Sequence, residues 1–117
     1  MASTPQARKA KGRRLQQWVR DFLLRMLGKG YTEDDIRSTS MGAGGEDVLF
    51  SSSVRDILPY SIECKNKERL NVWKSYAQAE ENCGDWEPLL VIKRNHQKPL
   101  VVIDAEYFFE LHGDNNE

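Results

Sequence analysis

The sequence predicts an α/β domain, a mixed β-sheet flanked by helices, with elements in the order α-β-β-β-α-β-β-α. Apolar residues recur at helical spacing in residues 11–27 and again in residues 71–83. Short runs that alternate in polarity or are rich in β-branched side chains occupy residues 60–65, 89–92 and 100–103. Because these patterns follow one another along the chain, helices are expected to cover a sheet of mixed strand direction.

The first predicted helix spans residues 11–27. Its apolar side chains recur every three or four positions and form one stripe: Leu15, Trp18, Val19, Phe22, Leu23, Met26 and Leu27. Gly28 and Gly30 follow directly, as glycines do just past a helix. Arg13, Gln17 and Arg20 fall away from the stripe, so the outer face of this helix is polar and basic.

Three short strands are predicted next, over residues 36–41, 47–50 and 60–65. A glycine-rich turn at 42–45 and a polar loop at 51–56 connect them. No Lys-Ser or Lys-Thr pair follows the turn, so it is not read as a nucleotide-binding loop. In the third strand the alternation places Tyr60, Ile62 and Cys64 on one face and Ser61, Glu63 and Lys65 on the other.

The remaining elements follow a similar logic. The second helix, residues 71–83, is closed by Gly84. Residues 89–92 and 100–103 are predicted to form a hairpin across a basic turn. A short last helix covers residues 106–111. The length of 117 residues suits a single domain, 11–112, between a disordered basic tail (1–10) and a frayed end (113–117).

Charge is distributed unevenly along the chain. Residues 1–30 hold eight Lys or Arg and one acid, whereas residues 31–117 hold nine bases and seventeen acids. A basic segment of this kind is either an ordinary solvated face or a phosphate-binding arm, because clustered bases release counterions from nucleic acid. Charge alone does not decide between these two interpretations.

Other classes of protein are disfavoured. The sequence has no apolar run of membrane-spanning length, and its N-terminus lacks the apolar segment of a secretory signal. Cys64 and Cys83 are therefore expected to be reduced thiols in a cytoplasmic protein. Two Cys and two His do not fall at the spacing of a zinc finger.

Asp47, Glu63 and Lys65 are polar residues at predicted strand positions. Glu63 and Lys65 are two residues apart and share one face, and Asp47 opens a neighbouring strand after the glycine turn. Two carboxylates on adjacent strands suit Mg²⁺ or Mn²⁺, which activates water and stabilises charge on a phosphate. Lys65 is placed to orient or deprotonate that water or to hold the phosphate. The simpler alternative is a Glu63–Lys65 ion pair on an exposed strand.

The segments GEDVLFS (45–51) and YSIECKN (60–66) resemble the PD-(D/E)xK nuclease superfamily. Within it, the chain is similar to the small Holliday-junction-resolvase-like endonucleases of phages and archaea, over about residues 11–111. The resemblance implies a restriction-endonuclease-like core and a Mg²⁺-dependent DNA endonuclease that cuts branched DNA in recombination. It also implies a homodimer, because a four-way junction offers two symmetric cleavage points. A lone compact nuclease suits a phage genome, with action in the cytoplasm of the bacterial host.

The resemblance assigns roles by position. Asp47 and Glu63 match the metal-binding acids, Lys65 matches the catalytic lysine, and the backbone carbonyl of Cys64 matches a further metal ligand. Junction-cutting members place a Glu on the first helix, where this chain offers Gln16 and Gln17. Gln16 is therefore predicted to be a neutral accessory ligand, and one or two metal ions both remain open.

DNA contacts are predicted from polar and basic residues on the first helix, after the third strand and at the hairpin turn: Arg13, Arg14, Gln17, Arg20, Lys67, Lys93 and Arg94. Gln78 on the second helix and Ser40 are further accessory candidates, each with an ordinary surface role as the alternative. Glu46 is predicted to point to the opposite face from its neighbour and to be a solvated acid. Trp18 and Trp73 are expected to be core or dimer-interface aromatics before they are platforms for bases.

Two other functions are compatible with these residues. The first is a different nuclease on the same site, such as a repair or restriction-like enzyme. The second is a catalytically silent nucleic-acid-binding module, favoured by Gln in place of the helix carboxylate and opposed by the presence of all three of Asp47, Glu63 and Lys65. A protein–protein adaptor is the third alternative, and the basic first helix speaks mildly against it.

Overall fold

The computed structural model describes residues 4–39 and 45–113. One five-stranded sheet has the strand order β1-β2-β3-β4-β5, in which β3 and β4 are parallel and the other pairs are antiparallel. The elements are α1 (Pro5–Leu27), β1 (Ile36–Ser38), β2 (Val48–Phe50), α2 (Ser52–Ile57), β3 (Tyr60–Asn66), α3 (Val72–Glu81), β4 (Glu87–Lys93), β5 (Leu100–Val102) and α4 (Ala105–Gly113). The predicted α/β class, with a mixed sheet flanked by helices, is confirmed.

The first helix begins earlier than predicted. Thr4 caps α1 by accepting a hydrogen bond from the amide of Ala7, and Pro5 occupies the first turn, where its missing amide costs nothing. Residues 5–10 are therefore helical, and the predicted disordered tail of residues 1–10 is wrong for that part. Gly28 ends the helix with a φ of 78°, a backbone conformation that favours glycine.

The segment SSSVRD, predicted to be a loop, contains α2. Ser51 caps this helix by accepting a hydrogen bond from the amide of Val54, and its hydroxyl also donates to Asp35. Val54 is fully buried in the core. A single buried side chain and a capped first turn thus order a segment whose sequence is mostly polar.

The two faces of the sheet are covered by different helices. Ile62, Cys64 and Val91 pack with Leu15 and Val19 of α1 in the main core. The alternating residues of β3 point to the other face, where α3 packs against β3 and β4. Because that face is covered as well, Ser61 and Glu63 are buried rather than exposed. An ion pair on an exposed strand is therefore excluded as the setting of Glu63.

No helix in residues 4–39 and 45–113 is long and apolar enough to cross a membrane. Cys64 is buried, Cys83 is half-buried, and neither forms a disulfide. The predicted hairpin of β4 and β5 is present, and its turn carries His96 with a φ of 63°.

Candidate active site

Strand register brings Asp47 and Glu63 together. Val48 of β2 pairs with Ile62 of β3 in an antiparallel ladder, so the residue before Val48 faces the residue after Ile62. The Asp47 amide donates to the Ile62 carbonyl at 2.9 Å, and the Asp47 carbonyl accepts from the amide of Thr39 at 3.0 Å. Asp47 is thus held by both neighbouring chain segments, which fixes the direction of its side chain.

The carboxylate of Asp47 extends the pairing between β2 and β3. Its Oδ2 accepts the backbone amide of Cys64 at 2.7 Å, at the point where β3 continues past its last pair with β2. A side-chain oxygen therefore satisfies an amide that a strand carbonyl would otherwise satisfy. The amide and carbonyl of one strand residue project to the same edge, so the Cys64 carbonyl also lies on the edge facing Asp47.

Glu63 is 5% exposed and is anchored by α3. The side-chain amide of Asn82, the C-terminal capping residue of α3, donates to Glu63 Oε1 at 3.3 Å. Asn82 was not predicted from the sequence as a site residue, although the helical spacing contains a signal. Ser75, Ala79 and Asn82 are four and three residues apart and so share one helix face, the face that is buried against the sheet.

The two carboxyl groups interact directly, and their effects on each other are opposite: Asp47 raises the pKa of Glu63, whereas the hydrogen bond from Glu63 lowers the pKa of Asp47. Burial, followed by the neighbouring charge of Asp47, raises the pKa of Glu63 from its ordinary value of 4.5 to about 7. Burial also raises the pKa of Asp47, although the hydrogen bond from the Cys64 amide works in the opposite direction. The positive charge of Lys65 lowers the pKa of both acids and so opposes the effect of burial.

The donor set of this site fits a hard divalent cation. Two carboxylates and one strand-edge carbonyl are all oxygen donors, and Mg²⁺ is typically held by one or two carboxylates while it keeps several waters. A bound cation would also offset the burial that raises the pKa of both acids and the charge of Asp47 that raises the pKa of Glu63. Within the described part of the chain, no cluster of three or more His, Cys, Asp or Glu side chains exists to form an all-side-chain cage.

Gln16 is buried on the α1 side of the sheet. Its Oε1 accepts a hydrogen bond from the hydroxyl of Ser38 at 2.8 Å, and Ser38 pairs with Val48, the residue after Asp47. The glutamine is therefore close to the start of β2, and its role as a metal ligand stays a prediction. Ser40, another accessory candidate, lies outside the described residues.

Glu46 is not the solvated acid that was predicted. Both of its carboxylate oxygens are 2.7 Å from Nη2 of Arg55 on α2. The Arg55 guanidinium also donates to the carbonyl of Tyr60 and lies 5.2 and 4.9 Å from the ring centres of Phe50 and Trp86. Arg55 therefore joins the residue before Asp47 to the start of β3, and this positioning contact was missed in the sequence.

A basic cleft of about 440 Å³ opens beside Lys65. Basic residues of α1, of the end of β3 and of the segment after β3 line this cleft: Arg8, Lys11, Lys65, Lys67 and Arg69. Glu68, also on its wall, binds Lys11 at 3.4 Å and accepts the amide of Asn95 at 2.6 Å, which joins α1 to the hairpin turn. Of these basic residues, only Lys65 and Lys67 were predicted from the sequence to belong to the site or to contact DNA.

The other predicted DNA contacts are dispersed. Arg14 and Lys93 line an adjacent cleft of about 270 Å³, and Lys67, Lys93 and Arg94 line a third of about 340 Å³. Arg13 and Gln17 line none of these three clefts, nor does Arg20, which pairs with Asp21. Gln78 is exposed on α3, where Asn82 makes the contact with Glu63.

No protein-family model, curated protein or solved structure matches this chain.

Proposed function

We propose that this chain is a Mg²⁺- or Mn²⁺-dependent endodeoxyribonuclease. The observation that carries the proposal is the buried Asp47–Glu63 pair, in which Glu63 lies two residues before Lys65 on β3; Lys65 in turn lines a basic cleft. Carboxylates with raised pKa values and a specific charged partner are typical of functional sites. A metal-binding carboxylate pair, a lysine and a phosphate-binding surface are together suited to hydrolysis of a phosphodiester, and these residues supply all three.

In this mechanism Asp47, Glu63 and the carbonyl of Cys64 would hold the cation. When bound, the cation supplies an activated water and stabilises negative charge on the phosphate. Lys65 orients the attacking water or binds the scissile phosphate from the cleft side. Asn82 and Arg55 act through other residues: Asn82 orients Glu63, and Arg55 fixes the segment before Asp47.

Four parts of the proposal rest on the resemblance to junction resolvases. They are specificity for branched DNA, a restriction-endonuclease-like core, a homodimeric assembly and a phage-encoded enzyme that acts in the cytoplasm. The basic cleft supports DNA as the substrate because five Lys and Arg side chains line it, and Lys65 is one of them. A repair or restriction-like nuclease would use the same residues. The silent binding module is the second candidate, and the neutral Gln16 on α1 favours it.

Cleavage of a labelled four-way junction, compared with a linear duplex of matched sequence, tests the proposal. Each DNA is incubated with Mg²⁺, Mn²⁺ or EDTA and with wild type, Glu63→Ala or Glu81→Ala, the last being an exposed acid on α3. Metal-dependent junction cleavage that only Glu63→Ala abolishes supports the full proposal. Equal cleavage of both DNAs removes the junction preference, and DNA binding without cleavage favours the silent module.

A further inference from the structure

Trp73 is the most exposed large apolar side chain in residues 4–39 and 45–113, at 85%. It is the second residue of α3, and its exposure contradicts the prediction of a core aromatic at this position. An apolar cleft of about 250 Å³ lies beside it, and Tyr76 of α3 and Val102 of β5 also line this cleft. A large ring in water next to an apolar cleft is a surface on which another flat group can stack.

The cleft of about 340 Å³ at the hairpin turn, here called the hairpin cleft, adjoins the apolar cleft, because Val72 lines both. Its described lining contains four basic residues and one acid: Lys67, Lys93, Arg94, Lys98 and Glu68. The carboxylate of Glu68 also binds Lys11, so part of its charge is compensated from outside the cleft. The hairpin cleft therefore suits an anion.

The hairpin cleft also adjoins the basic cleft beside Lys65, because Lys67 and Glu68 line both. Lys65, Ile92 and Leu100 are paired directly across β3, β4 and β5, so their side chains share one face of the sheet. The distance from β3 to β5 is two strand spacings, about 10 Å. The three clefts therefore form one path, which leads from the lysine of the candidate active site across the sheet to Trp73.

We propose that this path binds an unpaired DNA strand, with its phosphates in the hairpin cleft and one nucleobase stacked on Trp73. A positively charged groove combined with exposed aromatic rings is the arrangement by which proteins bind single strands. The proposal rests on the nuclease function for the identity of the ligand, and it deepens that function by naming DNA with a single-stranded segment as the substrate class. The resemblance to junction enzymes does not imply it, because a four-way junction can have all its nucleobases paired.

The division of charge between the clefts favours this ligand over an acidic peptide. Asp104 lines the apolar cleft, where it accepts the amide of Tyr107 at 2.9 Å, and its charge disfavours an anion beside Trp73. The face of an indole ring is itself negative, so a carboxylate gains nothing by lying on it. A nucleotide carries an uncharged flat group next to an anionic one, which matches the apolar cleft and the hairpin cleft in turn.

Duplex DNA cannot use Trp73 in the same way. Paired nucleobases are stacked on one another and present only their edges in the grooves, whereas an unpaired nucleobase offers its whole face to an aromatic side chain. Phosphates of a duplex can still contact the basic residues of the hairpin cleft. Trp73 is therefore expected to distinguish unpaired from paired DNA, and the basic residues are not.

Fluorescence anisotropy of the full chain in EDTA tests the proposal with three labelled probes: oligothymidylate, an abasic oligonucleotide of the same length, and a blunt duplex. Trp73→Ala is expected to weaken binding of oligothymidylate about 5- to 150-fold, the effect of losing one stacked nucleobase. Its affinity for the abasic strand and for the duplex should stay unchanged. Phe109→Ala is the matched control, because it removes a ring that is 69% exposed and lines none of the three clefts.

Two further measurements separate stacking from charge. Oligothymidylate should quench indole emission in wild type, whereas Trp73→Phe should lose most of this quenching and keep most of the affinity, because a phenyl ring still stacks. Lys98→Ala should reduce the slope of log affinity for oligothymidylate against log salt by about 0.7, with the exposed Lys29→Ala as its control. Circular dichroism checks that each variant is folded.

The outcomes distinguish this proposal from the nuclease function. Unchanged affinity of Trp73→Ala for oligothymidylate, or an equal loss for the abasic strand, would overturn the stacking role and leave metal-dependent cleavage untouched. Cleavage of the four-way junction by a wild type that does not bind oligothymidylate would overturn the unpaired-strand proposal alone. A wild type that binds none of the probes and cleaves no DNA would overturn both.

Discussion

Replacing Glu63 by glutamine removes an ionisable group from the buried pair while it keeps the size of the side chain. The amide oxygen can still accept the hydrogen bond from Asn82, and the new amide group can donate to Asp47. In wild type without metal, the ionised form of Glu63 is destabilised by burial and by the charge of Asp47. The variant should therefore be more stable than wild type wherever Glu63 would be ionised.

The size of the effect follows from the pKa of Glu63. A carboxyl group whose pKa rises from 4.5 to about 7 on folding binds more protons in the folded state, so the free energy of unfolding falls as pH rises through this range. The difference amounts to about 3 kcal/mol. Relative to wild type, Glu63→Gln is thus expected to gain nothing near about pH 4 and about 3 kcal/mol by about pH 8.

Urea denaturation in EDTA at several pH values measures this difference, with Glu81→Gln as an exposed control on α3. Addition of Mg²⁺ at about pH 8 should then stabilise wild type and leave Glu63→Gln unchanged, because only wild type offers both carboxylates. A stability difference that stays constant from about pH 4 to about pH 8 would show that Glu63 titrates normally and would refute the reasoning.

Three further sets of substitutions test separate parts of the site. Arg55→Met leaves the half-buried Glu46 without its cation and should cost about 3 kcal/mol of unfolding free energy in urea; adding Glu46→Gln should restore part of it, and a loss below about 0.5 kcal/mol would contradict the positioning role. Asn82→Ala should weaken Mg²⁺ binding about tenfold by calorimetry, whereas Gln78→Ala should leave it unchanged; equal effects would mean that the Asn82 contact is unimportant. Lys67→Ala and Arg69→Ala should each reduce the slope of log affinity for DNA against log salt by about one, while the exposed Lys29→Ala, outside the cleft, serves as the control.

The carboxylate pair could be predicted from sequence because strand geometry is periodic. Alternation in β3 places Glu63 opposite to the Ile62 and Cys64 face, and the turn before β2 starts Asp47 on a neighbouring strand. The burial of Glu63 could not be predicted in this way. It depends on α3 covering that face, and the pattern of β3 alone does not distinguish a covered polar face from an open one.

The contacts that support the pair depend on tertiary structure. The helix α2 forms because Val54 is buried among distant residues, and only then does Arg55 reach Glu46 and the two aromatic rings. Which side of α1 borders the cleft could also not be predicted from the sequence. Periodicity identified its apolar stripe, but which of its bases border the cleft depends on where β3 and β4 end, and these are Arg8 and Lys11 rather than Arg13 and Arg20.

The side chain of Asp47 accepts a backbone hydrogen bond from β3 that the carbonyl of a neighbouring strand would usually accept. Because it accepts the Cys64 amide, a variant without the proposed nuclease activity would still need this aspartate for the pairing of β2 and β3. Glu63 has the opposite effect on stability, because its negative charge lowers the free energy of unfolding when no cation is bound. Among descendants of this chain, an intact Asp47 would therefore say little about surviving activity. An acid retained at position 63 would be more informative, because glutamine at this position would make the metal-free fold more stable.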